Sequence, residues 1–336
     1  MARETAGPSL RSGGQVRKRG DQLQTAPTMR TAADVTDAAV VLLRELIDYA
    51  GLFPPASLSM AAAVANYDRY LESEWNWMLG RFIVSVARLG ELEAVLAGLP
   101  APVTRKEAVR WRVSVLLGAD AASDVAQIRE FNARMARAGW KRNAVVDSVE
   151  VKAASGEEVA QLSGVIPSEL ATYFELSLAS AAECIPAVAA CGRRAKVRTG
   201  GETADKFPTP VSVIEFIRLC SSANVPFKAT AGLHHPLRSV HKLTYQAESA
   251  SGIMHGFLNV FLASAFLRSG MEPALAVQVL EEQSPVAFHF DADGITWRQQ
   301  RLVANEIAAA RKGFALSFGT CSFTEPIDDL RALHLL

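Results

Sequence analysis

From about residue 34 to the C-terminus, short apolar runs of strand length alternate with longer segments of helical periodicity, and this alternation restricts the fold more than any other feature. Strand, helix and strand in strict succession pair in parallel, because the helix carries the chain back across the sheet before the next strand begins. Eight runs qualify as strands: 46–51, 81–87, 111–117, 144–150, 171–177, 194–199, 226–231 and 286–291. The segments between them carry helix start and stop signals, among them Thr209 before Pro210 and Gly192 at the end of "SAAECIPAVAACG". Eight such units predict a closed (β/α)8 barrel of TIM type rather than an open doubly wound sheet. Two additions are expected: an apolar helix at 251–270 after the seventh strand, and a C-terminal tail, "FALSFGTCSFTEPIDDLRALHLL". Either one builds a pocket wall or a contact between copies of the chain, a homo-oligomer.

The chain has 336 residues, and one barrel takes about 250, so 31–336 are expected to form a single barrel domain. Residues 1–30 are rich in Gly, Pro, Arg and Gln and poor in large apolar groups. Such a segment cannot offset the entropy of ordering, and a disordered tail is expected. Basic and acidic residues number 35 each, so no net field draws the chain to nucleic acid or an anionic membrane. The most hydrophobic stretch, "GFLNVFLASAFL" at 256–267, is shorter than a bilayer span and reads as a buried helix, so no membrane partner is expected. The scattered cysteines Cys184, Cys191, Cys220 and Cys321 form no C-x-x-C pair and follow no secretory segment, which points to the reducing cytoplasm.

In a closed barrel alternate side chains face the helices and the lumen, and the helix-facing set must be apolar. Ala195 and Val197 suit the helix layer, which turns Lys196 and Arg198 inward; Phe227 and Ala229 do the same for Lys228 and Thr230. Phe174 outward leaves Glu175 inside, and Phe288 and Phe290 outward leave His289 and Asp291 inside. A barrel filled only for packing carries Val, Ile and Leu in its lumen, so these inward charges suggest a functional site at the C-terminal strand ends. The plainer alternative is a buried salt-bridge network, such as Glu175 with Lys196.

"AKVRTGG" at 195–201 is followed, 32 residues after its lysine, by "PFKATAGL" at 226–233. This pair resembles the deoxyribose-phosphate aldolase branch of the class I aldolases, whose sixth strand carries K-x-x-T-G and whose seventh carries K-A-x-G-G-I. The resemblance covers about 40 of the 336 residues. It implies that Lys196 forms a Schiff base with a carbonyl substrate, that Lys228 lowers its pKa, and that Thr199, Gly200 and Gly201 shape the loop. The second motif lacks the family's diglycine, and Arg198 stands inside the first. Asp147 is the nearest counterpart of the family's strand-borne aspartate, with Ser148 and Glu150 on the opposite strand face.

The expected activity is thus a lyase acting on a small anionic carbonyl compound. Asp147 or Glu175 would move protons, Arg198 with Gly200 and Gly201 would hold the anion, and Thr230, His234, His235 and Asp291 would complete the substrate contacts. An imine needs no cofactor. One alternative keeps Lys196, Arg198 and Lys228 as fixed cations that stabilise an anion without an imine, in a lyase or isomerase. A divalent metal held by His234, His235 or His289 is a variant of it. A third reading is a metabolite-binding or scaffold barrel whose charges pair with one another. Asp48 and Tyr49 before Pro54 and Pro55 close the pocket or simply end the first strand, and "TEPIDDL" reads as a helix start with acids complementing its dipole.

Overall fold

The computed structural model describes residues 35–99, 109–138 and 142–336. Residues 1–30, expected to form a disordered tail, lie outside the described residues. Eight strands close into one barrel in which every neighbouring pair is parallel. They are β1 (Ile47–Tyr49), β2 (Leu79–Ser85), β3 (Val109–Leu116), β4 (Arg142–Lys152), β5 (Ala171–Glu175), β6 (Arg194–Arg198), β7 (Phe227–Thr230) and β8 (Ala315–Thr320). Helices alternate with them: α1 (Asp37–Leu43) precedes β1, and α2 (Met60–Glu72), α3 (Leu89–Gly98), α4 (Ala121–Arg137), α5 (Gly156–Val165), α6 (Ala181–Ala190) and α7 (Pro210–Ser222) follow the first six strands in turn. Three helices, α8 (Phe257–Arg268), α9 (Pro273–Glu281) and α10 (Ala304–Gly313), lie between β7 and β8, and α11 (Thr324–Ala332) follows β8. The molecule is a (β/α)8 barrel.

The alternation read from sequence sets the packing. Phe82 and Trp111 point outward from β2 and β3 onto Tyr67 of α2, Phe227 meets Phe216 of α7, and Phe318 stacks on Phe257 of α8. Each of these buried rings contributes roughly 1.5–3 kcal/mol through the apolar surface it removes from water. Thr209 caps α7 ahead of Pro210, its hydroxyl accepting the Ser212 N–H at 3.2 Å. The apolar segment after β7 forms α8, buried on every side from Phe257 to Leu267. Its polar members are satisfied within the fold: Asn259 donates to the carbonyls of Val279 and Glu282, and Ser264 to that of Val260. Among the described residues, no helix is long and apolar enough to cross a membrane.

The eighth strand departs from the sequence expectation. Residues 288–290 form one strand of a three-stranded antiparallel sheet with 294–297 and 300–303, lying between α9 and α10. The chain reverses at "DADG", where the Asp291 carboxylate accepts the N–H groups of Asp293 and Gly294 at 2.9 Å each. That turn chemistry makes a hairpin of a run whose alternation alone fits a barrel strand equally well. The true β8 comes from the segment read as a tail. Ser317 and Gly319 face the lumen there, and a Cβ on Gly319 would stand 3.2 Å from both Ile83 and Thr230. Small residues at those positions are what the narrow lumen demands, and they hide the strand from a reading based on apolar alternation.

Candidate active site

The lumen is charged in layers. Toward its N-terminal end Arg81 of β2 makes a two-pronged ion pair with Asp147, at 2.7 and 2.9 Å, and Arg112 of β3 lies 3.4 Å from the same carboxylate. Asp147 sits where the β3–β4 register shifts, Val113 pairing with Val146 and Ser114 with Ser148. A bulge of this kind sends two successive residues to the same face, so Asp147 and Ser148 both look inward and every later residue of β4 changes face. The consequence is a correction: Asp147 is the counter-ion of two arginines, and Glu150 is the β4 carboxylate that reaches the lysines.

Lys152, Glu175, Lys196 and Lys228 are consecutive register partners across β4, β5, β6 and β7. Lys196 Nζ donates to Glu150 Oε2 and Glu175 Oε2, each at 2.6 Å. Lys228 Nζ donates to Asp48 Oδ2 at 2.6 Å and to Glu150 Oε1 at 2.8 Å. The remaining lone pairs are also used: Ser114 donates to Glu150 Oε1, Ser317 to Asp48 Oδ2, and the Arg81 backbone N–H to Asp48 Oδ1. Both lysines and Asp48 and Glu150 are buried. Burial alone would push the Glu150 carboxyl up, but the two ammonium groups outweigh it and hold Glu150 well below the usual carboxylate range. Burial would likewise favour neutral Lys228, and the charges of Asp48 and Glu150 reverse this, keeping its ammonium form.

Above this layer opens a cavity of about 760 Å³. Glu150, Glu175 and Lys196 form its floor, and Lys228 lies beneath them without lining it. Arg198, Gly201, Lys206 and Thr230 line one side, and Ala50, Pro54, Pro55, His234, Thr320 and Cys321 the other. A second trough of about 770 Å³ over the ends of β4, β5 and β6 shares Lys152, Glu175, Arg198 and Lys206 with it. Arg198 is exposed at the mouth, 4.0 Å from Glu175. The loops after β6 and β7 touch: a Cβ on Gly200 would meet the Phe207 ring at 2.5 Å and the Gly232 Cα at 2.9 Å. Gly232 has φ +73°, which only glycine takes without strain. Thr199 does not line the cavity; its hydroxyl donates to the Ala231 carbonyl at 2.8 Å and ties the two loops together.

The structure thus brings together Lys196, Lys228, Glu175, Arg198, Gly201, Thr230 and His234, with Gly200 on the trough wall. It places His235 and Asp291 apart from these. His235 pairs with Asp329 at 2.6 Å and stacks on His241, lining a smaller recess. Asp291, expected in the lumen beside His289, lies on the outer hairpin in a two-pronged ion pair with Arg301, and His289 is exposed there. Their strand is antiparallel and outside the barrel, so His289 cannot join His234 and His235 around an ion. Among the described residues no three His, Cys, Asp or Glu side chains converge as a metal site.

Three participants escape the sequence reading of roles. Glu150 is concealed by the bulge, Asp48 passes as the end of β1, and Glu325 of "TEPIDDL" passes as a helix-start acid. Glu325 in fact accepts from His234 Nδ1 and Tyr245 OH, both at 2.9 Å. The chain matches no protein-family model and no curated protein.

Proposed function

We propose that the chain is a barrel lyase that binds a small anionic carbonyl compound and makes or breaks a carbon–carbon bond through an imine on Lys196. The observation that carries this reading is the difference between the two lumen lysines: Lys196 lines the cavity, whereas Lys228 is sealed below it. Glu175 and Glu150 stand at 2.6 Å from the Lys196 amine, so a proton acceptor is in place when the amine attacks a carbonyl.

The electrostatics favour the intermediate. The ammonium and the protonated imine both carry one positive charge, so exchanging one for the other leaves the balance with Glu150, Glu175, Asp48 and Lys228 intact. Glu175, the carboxylate nearer the mouth, takes one ammonium proton; the attacking nitrogen gives a second to the carbonyl oxygen, forming the carbinolamine hydroxyl, and Glu175 returns the first to that hydroxyl, which leaves as water. Glu150, locked in its ionised form by Lys228, stabilises the iminium. Lys228 is then a positioning residue that holds Glu150. Arg198, with Lys206 beside it at the mouth, suits an anionic substituent. The resemblance of "AKVRTGG" and "PFKATAGL" to the deoxyribose-phosphate aldolases agrees with this assignment, Glu150 replacing Asp147 as the β4 carboxylate.

A scaffold whose charges serve only one another has no use for a cavity above them. An imine also converts to an enamine by losing an α-proton, so exchange in D2O is diagnostic. Pyruvate, acetaldehyde and dihydroxyacetone phosphate are the probes. At least one is expected to exchange its α-hydrogens with the wild type and not with Lys196→Arg. Equal exchange by both proteins, or none by the wild type with any probe, overturns the reading.

A further inference from the structure

Glu150 and Glu175 both crowd the nitrogen of Lys196 on the cavity floor. Cleavage of an aldol also requires a base for the substrate hydroxyl, which lies two carbons beyond the imine carbon toward the mouth. That position needs a group from the upper wall.

His234 is the imidazole on that wall. It is buried, in the loop after β7, and its orientation is fixed from two other elements. Glu325 Oε2, at the start of α11, lies 2.9 Å from His234 Nδ1 and accepts the Tyr245 hydroxyl at the same distance. Tyr245 belongs to the loop joining the hairpin strands 239–242 and 251–254. Burial works to raise the Glu325 carboxyl, and the bonds from His234 and Tyr245 bring it below its ordinary value, so Glu325 is a carboxylate and only accepts. An acceptor at Nδ1 requires the neutral ring to carry its proton there, which leaves a lone pair on Nε2. The next residue has a different fate: His235 turns to Asp329 and stacks on His241. The groups facing the dyad are Glu325 and Asp329 of α11, Tyr245 and His241 of the hairpin, His235, and Cys321, whose sulfur lies 3.5 Å from the Tyr245 oxygen.

We infer that His234, oriented by Glu325 and Tyr245, is the acid–base group for the reacting hydroxyl of the substrate. This rests on the imine reading above. In cleavage the hydroxyl proton passes to His234 Nε2, the oxygen forms a carbonyl with its carbon, the bond from that carbon to the α-carbon breaks, and its electron pair neutralises the iminium to an enamine. In synthesis His234 returns the proton to the new alkoxide. His234 is the catalytic residue of this step, and Glu325 and Tyr245 are positioning residues.

The test compares wild type, H234Q and E325Q in three measurements. Borohydride trapping of pyruvate, acetaldehyde or dihydroxyacetone phosphate reports the imine and a correctly folded lumen. In a separate reaction without borohydride, bond formation between the donor that forms the imine and glyceraldehyde 3-phosphate reports the proposed step. The long-range 1H–15N spectrum of histidine-labelled protein, assigned with H234Q, reports the tautomer. H234Q is expected to trap the donor as wild type does and to lose bond formation by about 100-fold or more. The wild-type ring should carry its proton on Nδ1, and E325Q should lose that preference together with rate. Bond formation at the wild-type rate in H234Q, or an Nε2–H tautomer in the wild type, overturns the role of His234 alone. A wild type that traps no donor overturns the imine reading and this step with it.

Discussion

Lys196 and Lys228 are direct register partners on adjacent parallel strands, and the carboxylate of Glu150 accepts from both, through Oε2 at 2.6 Å and Oε1 at 2.8 Å. One carboxylate therefore serves two buried cations that would otherwise repel across one ladder rung. The division of labour follows from depth: the upper lysine meets the cavity, and the lower one fixes the carboxylate.

Removing the lower cation tests that division. Lys228→Met leaves buried Asp48 with only the Ser317 hydroxyl and the Arg81 N–H as donors, while Glu150 keeps Lys196; breaking a buried pair by deleting one partner costs about 3–5 kcal/mol. Urea unfolding should show a loss of that size. Lys228→Met with the stability of the wild type contradicts the network.

Arg198 should behave in the opposite way. Its side chain is exposed at the mouth and 4.0 Å from Glu175, so Arg198→Ala is expected to leave the unfolding midpoint nearly unchanged. Losing a charge-assisted contact of about 1.5–3 kcal/mol raises KM for an anionic substrate roughly ten- to a hundredfold. The effect should shrink as salt is added. A neutral analogue affected as strongly as the anion contradicts this role.

His255 sets a pH limit on stability. Burial, with a smaller push from Arg238 beside it, lowers it to about 4, overcoming the hydrogen bond its Nε2 donates to the Pro208 carbonyl. The unfolded chain binds this proton near pH 6.5 and the folded chain only near 4, so the contribution is whole above pH 6.5 and is lost as pH falls toward 4. The difference amounts to about 3 kcal/mol at most. Denaturant titrations across that window should show a shallower fall in H255Q than in the wild type; parallel curves contradict the assignment.

Apolar alternation made most of the barrel legible, because Phe82, Phe174, Phe227 and their neighbours must face the helices whatever the function. It failed at β8, where Ser317 and Gly319 are small for the lumen's sake and the strand reads as a turn. It failed again on β4, since a bulge changes which face Glu150 takes without altering the residues themselves. Glu325 was hidden for another reason: His234 and its carboxylate are 91 positions apart, and only closure of the barrel brings them together. Lys196, Lys228, Glu175 and Arg198 were legible because a lysine or arginine flanked by apolar strand neighbours has no bland place to go.

Reduction with sodium borohydride in the presence of carbonyl probes, followed by peptide mapping, asks whether Lys196 forms the imine. A mass increment of the reduced probe is expected on the peptide carrying Lys196, with none on that carrying Lys228 and none in Lys196→Arg. A label on Lys228, or no label with any aldehyde, ketone or 2-oxo acid, would contradict the Lys196 imine.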